Sequence, residues 1–230
     1  MQEEVKKHTK KIYDTAKSPQ HTFGEKVKEI LIEIFIIVFA VTLSIWLHSW
    51  SEHRHQQKEA SEFLADLKED LKLDIKSMQT AKDSLSINAD NFLYLEHLNA
   101  QKVDSLTSFR FGSSIGTTKI NNGNYEGFKS SGKIGFIENK DLKKQILKYY
   151  QDSTPSVLEV EKINASQVLK ITDFWAENAE KDFKKTVLSP KFKAMLNIFQ
   201  NTAKNSLVLY EEAITVAKQI VAEIDKTNKS

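Results

Sequence analysis

A run of apolar residues from Ile30 to Leu47, about 18 long with Glu33 its only charge, constrains this chain more than any other feature. At a rise of roughly 1.5 Å per residue a helix of that length spans about 27 Å, close to the roughly 30 Å of a bilayer's hydrocarbon core. Trp46 and Trp50 stand at its far end, where aromatic rings favour the headgroup region. A cleaved secretion signal has a short basic start, a shorter apolar stretch and a small-residue cleavage site. Here about 29 residues precede the run, and "WLHSWSEHR" follows it without such a site. A soluble core helix shows one apolar face and one polar face, whereas this run is apolar on all sides. The reading is a single uncleaved transmembrane helix.

Orientation follows from lysine and arginine near the ends of the span. Lys6, Lys7, Lys10, Lys11, Lys17, Lys26 and Lys28 precede it, and only Arg54 and Lys58 follow closely. That bias places residues 1–21 in the cytoplasm as a short N-terminal segment. Residues 22–50 are the juxtamembrane and transmembrane helix, and 51–230 a periplasmic domain. The localisation expected is the bacterial inner membrane, with the lipid bilayer as first partner.

Helix breakers are scarce, with 7 glycines and 3 prolines in 230 residues. That composition favours long helices over a many-turned β architecture. Two readings stand for residues 1–21: a short surface helix with Val5, Ile12, Tyr13 and Ala16 on one side and lysines opposite, or a frayed solvated tail. Thr22 and Glu25 have the spacing of a capping box. Beyond the span, Ala60, Leu64, Leu67, Leu71, Ile75, Met78, Leu85, Ala89 and Phe92 recur every three or four residues, the mark of a core face. Nothing interrupts Lys26 to Arg110, so one rod is expected to leave the bilayer and enter a bundle. Phe111 to Lys140 holds most of the glycines and reads as loop, with a short helix at Tyr125–Ser130, a turn at Gly132 and a helix start near Asn139. Asp141–Gln151 is a short amphipathic helix. Val157–Asn178 carries Val160, Ile163, Val168, Ile171, Phe174 and Trp175 as its stripe. Ser189-Pro190 opens the last helix as N-cap and N1, with a stripe from Phe192 through Met195, Phe199, Leu207, Tyr210 and Val221 to Ile224. The fold class expected is all-α: one N-terminal transmembrane helix continuing into a periplasmic antiparallel helical bundle.

The segment "EIFIIVFAVTLSIWLHSWSE", the helix "FLADLKEDLKLDI" at Phe63–Ile75 and the stretch "YEGFKSSGKIGFIENKDL" at Tyr125–Leu142 resemble domain of unknown function 6090, a family of single-pass proteins found mainly in Bacteroidota. Its members show a Gly-Glu lead-in, an apolar span, an Asn-rich exit and an L-x-x-L-x-x-D-L helix. Here Ile32 stands in place of the glycine, and His48-Ser49 in place of the Asn pair. The likeness covers residues 30–150, and the last third only by helical character. It implies a membrane-anchored helical protein, carries no known activity and leaves function open.

Candidate chemistry is sparse. Cysteine is absent, which excludes disulfides and thiolate metal sites. A net charge of +2 offers no basic excess for nucleic acid. His48, His53 and His55 cluster after the span, but only His48 and Glu52 share the i, i+4 spacing of helical metal ligands. An interfacial polar exit accounts for them, and no metal or cofactor is expected. Neither G-x-S-x-G nor a P-loop occurs, so no enzyme is expected. On a 3.6-residue helix, Glu33, Ile37, Ala40, Ser44 and His48 fall on one strip that is largely small or polar, with a small-xxx-small pair at Ala40 and Ser44. Two readings stand for it: a helix–helix interface with a second copy or another subunit, or an interfacial glutamate that snorkels beside small residues placed by chance. Tyr125, Glu126, Ser130 and Gly132 form the most distinctive polar segment, either a helix cap or an interaction surface. The function expected is a noncatalytic structural or accessory subunit of a membrane assembly, as a homo-oligomer or with other membrane-protein subunits. The alternative is a periplasmic ligand sensor signalling through the transmembrane helix to a separate partner.

Overall fold

The computed structural model describes residues 2–17, 23–104, 116–178 and 182–227, and among them no strand occurs. Thr22 of the expected capping box lies outside the described residues. The chain divides into two compact units, Met1–Glu59 and Ala60–Ser230. The first holds α1 (Gln2–Lys17) and the opening part of α2 (Phe23–Glu96). The second holds the remainder of α2, α3 (Ala100–Asp104), α4 (Gly123–Ser130), α5 (Lys140–Lys148), α6 (Thr154–Asn178), α7 (Phe183–Leu188) and α8 (Pro190–Thr227). A 3-10 turn at Lys133–Phe136 follows α4.

In the first unit, α2 is long and apolar enough to cross a membrane, and only 6 % of its most apolar 18-residue window is buried. A helix in the core of a soluble protein would be mostly buried, so packing within this chain does not account for the run. Val5 and Ile12 of α1 are half-buried, while Tyr13 is 58 % exposed. Tyr13 therefore sits with the lysines, its ring 4.4 Å from Lys17 Nζ, and not on the apolar side where the spacing had placed it.

In the second unit α2 buries Leu64, Leu67, Leu71, Asp74, Met78, Ala81, Leu85, Asn88, Phe92 and Leu95. The steps of three and four hold this face toward its neighbours. Each fully buried leucine contributes about 1.5–3 kcal/mol relative to exposure. Gln200 donates to the carbonyl of Ala89, Asn197 donates to Glu96, and the rings of Phe92 and Phe199 meet edge to face at 4.8 Å. Lys82 pairs with Glu211 and Lys68 with Asp225. Residue numbers rise along α2 as they fall along α8, so the two are antiparallel. Glu161 with Tyr210, Asn164 with Ser206 and Gln167 with Thr202 make α6 antiparallel to α8 as well. It follows that α2 and α6 run in the same direction. The long connection from residue 97 to the start of α6 supplies the crossover that parallel neighbours need.

Local chemistry sets the ends. Asn99 accepts the N–H of Lys102 and opens α3, so α2 stops at Glu96 without a proline or glycine and the expected rod ends short of Arg110. Gly132 takes φ = 75°, a conformation that costs glycine little, and closes the turn after α4. Asn139 caps α5 through the N–H groups of Asp141 and Leu142, and Ser189 caps α8 through that of Phe192.

Residues 140–178 are helical throughout, with one π-helical turn at Tyr149–Ser153 between α5 and α6. Pro155 explains it. Proline lacks an N–H and its ring collides with the carbonyl four residues earlier, which breaks a regular helix. Widening the turn, so that the Thr154 N–H donates to the carbonyl of Tyr149, accommodates the proline. The same widening turns both Tyr149 and Tyr150 inward.

Candidate functional site

The described residues contain two buried polar centres, one in each unit. In the first unit it is Glu33, which is only 4 % exposed. His8 Nδ1 lies 2.5 Å from Glu33 Oε2, and Lys11 pairs with Glu33 Oε1. These partners sit three residues apart on α1 and reach the same carboxylate. The charge at the start of the apolar run is thus satisfied by the chain's own N-terminal helix. Of the rest of the strip, Ile37 and Ser44 are half-buried, while Ala40 and His48 are exposed. At the far end of the run Arg54 lies over the ring of Trp50 at 5.0 Å, and His55 approaches Glu59 at 3.6 Å. Among the described residues no group of three or more His, Asp or Glu is placed to hold a metal ion.

The second centre is larger and lies where a stripe read by apolarity alone does not place it. Residues 116–122 form a nonhelical strap whose backbone groups are bonded by side chains from α2, α6 and the π turn. Asp74 Oδ1 accepts the N–H of Asn121 at 2.8 Å and its side-chain Nδ2 at 2.9 Å. Ser77 Oγ accepts the N–H of Lys119 at 2.7 Å. Glu161 accepts the N–H of Thr118 on both oxygens, at 3.0 and 3.1 Å, and also its hydroxyl. Tyr150 donates to the carbonyl of Asn121, and Asn124 to Asp70. Asp70, Asp74, Ser77, Ala81 and Ser84 are spaced by four and three on α2, so one helical face meets the strap. Gly116 presses on that face, and a Cβ there would lie 2.9 Å from Ala81 Cα. A partly buried strap outside regular structure needs partners for its backbone, and these carboxylates and hydroxyls supply them.

Tyr149 and Tyr150 complete the centre. Tyr149 donates to Asp74 Oδ2 at 3.0 Å, and the Tyr150 ring stacks on Tyr125 at 4.3 Å. Burial pushes the Asp74 carboxyl above its ordinary value of 3.8, opposed by the bonds from Asn121 and Tyr149. Burial also pushes the Tyr149, Tyr150 and Tyr210 phenols up, so they serve as hydrogen-bond donors. Tyr210 spends its proton on Glu161. Asp74 and Glu161, the buried carboxylates of this centre, are therefore engaged in holding the strap.

Of the four residues singled out near Tyr125, Glu126, Ser130 and Gly132 are exposed, and the Ser130 hydroxyl bonds its own helix at Gly127. Tyr125 is wholly buried, with its hydroxyl bonded to Gln151. It belongs to the core, because its ring is covered by Tyr150. The α6 stripe also differs from the expected one. Val157, Glu161, Asn164, Val168 and Ile171 face inward, and Ile163 is 44 % exposed. Glu161 and Asn164 take the inward register because the strap and Ser206 give their polar groups partners. Ser206 donates its only proton to the carbonyl of Thr202 and accepts from Asn164 Nδ2. This fixes the orientation of the amide and leaves Asn164 Oδ1 as a buried acceptor without a protein partner. Leu85, Asn88, Gly116, Glu161, Asn164, Val168 and Tyr210 line a cavity of about 20 Å³ beside it, room for about one water.

Among the described residues, these features define an all-helical fold with one helix of span length and a helical unit braced by buried polar groups. The chain belongs to the family described as Family of unknown function (DUF6090), whose family model matches residues 33–156. The match runs from Glu33 through Asp74, the strap and both tyrosines to the first turn of α6. No curated protein and no solved structure matches the chain.

Proposed function

We propose that this protein is a noncatalytic structural or accessory subunit of a membrane assembly in the bacterial inner membrane. Its N-terminus lies in the cytoplasm and its helical unit in the periplasm. The observation that carries this reading is the exposed apolar window of α2, joined to a compact unit with its own core. The lysine bias before Ile30 supports the orientation. The engagement of Asp74 and Glu161 in holding the strap favours a structural role for the helical unit over acid–base chemistry.

The test is extraction followed by purification. Alkaline carbonate is expected to leave the full-length protein in the membrane pellet. Mild detergent is expected to release it with a stoichiometric partner, or as an oligomer, identified by mass spectrometry. Release by carbonate, or recovery as a lone monomer, would refute the reading. Recovery with a retained small molecule would favour a ligand sensor instead.

A further inference from the structure

We propose that α1 is a binding element for the anionic phospholipid headgroups of the leaflet at the N-terminal end of the span. The inference rests on the membrane reading above and adds a surface and a ligand class to it. The observation behind it is the attachment of α1 to Glu33. That residue lies three positions inside the apolar run, about 5 Å along a helix axis. His8 and Lys11 both reach its carboxylate, which ties α1 to the N-terminal end of the span.

The two sides of α1 differ in kind. Val5, His8 and Ile12 recur at three and four residues and are half-buried. Lys6, Lys7 and Lys10 lie around the other side and are exposed. Among the described residues none of these three is ion-paired. The Glu33 carboxylate is already taken by Lys11 and His8, so it does not neutralise them. Three ammonium groups fixed at a bilayer surface meet phosphate oxygens of anionic lipid, and each gains about fivefold in equilibrium population near such a surface. A long flexible lysine also places its stem along apolar surface while its head stays among phosphates. The acidic residues Glu3 and Asp14 flank this patch and limit it to the middle of the helix.

Full-length protein in nanodiscs of phosphatidylcholine alone, and of phosphatidylcholine mixed equally with phosphatidylglycerol, tests the proposal. Lysines are labelled with an amine-acylating reagent, and rates are read by peptide mass spectrometry relative to exposed Lys170. Lys6, Lys7 and Lys10 should label about threefold or more slowly in the mixed discs, a lower bound set by partial occupancy of the fivefold gain. Native mass spectrometry should show phosphatidylglycerol retained over phosphatidylcholine. The triple variant Lys6→Gln/Lys7→Gln/Lys10→Gln should insert equally and lose that retention. Insertion with equal labelling in both discs, or retention unchanged in the triple variant, would overturn the proposal alone. Failure to enter discs of either composition would overturn the membrane reading and this proposal with it.

Discussion

Replacing Asp74 with leucine removes the acceptor at the centre of the strap while keeping the side chain's approximate size. Three donors lose their partner: the N–H of Asn121, its Nδ2, and the Tyr149 hydroxyl. A buried donor left without an acceptor costs about 1–3 kcal/mol. Asn121 is half-buried, so its side-chain amide turns to water at little cost. Tyr149 is wholly buried and the backbone N–H cannot move away, which leaves two donors and a loss of about 2–6 kcal/mol. Removing a buried carboxylate offsets part of that. The expected net loss is about 2–4 kcal/mol. Urea unfolding of residues 60–230 followed by circular dichroism measures it. Hydrogen exchange of the Lys119 and Asn121 amides reports whether the strap has come loose. A loss within about 0.5 kcal/mol, the range of ordinary surface substitutions, with unchanged exchange at those amides, would refute the view that Asp74 holds the strap.

The same residue makes stability depend on pH. Folding holds the Asp74 carboxyl above its ordinary 3.8, so the folded state binds more protons than the unfolded state in the window above that value. Its contribution to stability therefore falls as pH rises through the window, and the stability of wild type relative to Asp74→Asn should decline there in paired melting curves. Residues 60–230 should fold alone as a helical domain whose circular dichroism and melting temperature are indifferent to chelators; a chelator-induced loss of helicity would reveal a structural metal. A periplasm-specific reporter fused after Ser230 should be active and a cytoplasm-specific one silent, and the reverse pattern would invert the topology. Ala40→Leu/Ser44→Leu should weaken crosslinking of the full-length protein in membranes if the small-residue strip packs on another helix. Unchanged crosslinking at equal expression would leave the helical unit as the contact surface.

Much of the helical layout was legible from spacing. The last helix and its Ser189-Pro190 start, the short helix near Tyr125, the Gly132 turn and the Asn139 cap all follow from local chemistry that acts over a few residues. So does the apolar run, since a helix apolar on every side announces itself without reference to neighbours. The end of α2 was not legible, because Asn99 begins a new helix without a breaker residue to mark the stop.

The polar centre was hidden for a different reason. Reading stripes by apolarity selects Ile75 and Ala89, and the structure buries their neighbours Asp74 and Asn88 more deeply. On α6 it selects Ile163 where Glu161 and Asn164 face inward. A faint signal existed: Asp74 falls on the register of Leu67, Leu71 and Met78. Helix spacing alone cannot tell a buried carboxylate from a solvated one, because burial of a charge depends on donors that arrive from elsewhere in the chain. Those donors come from Asn121 and Tyr149, 47 and 75 residues away. Likewise Glu33 stood in the sequence as a lone charge at the edge of an apolar run, and its partners became known only when α1 placed His8 and Lys11 beside it. Sequence by itself determined where helices form and which one suits a bilayer, since those properties arise from neighbours three and four residues apart. Tertiary structure decided which charges are buried, what satisfies them and how the strap is held, since those depend on contacts between segments that are distant along the chain.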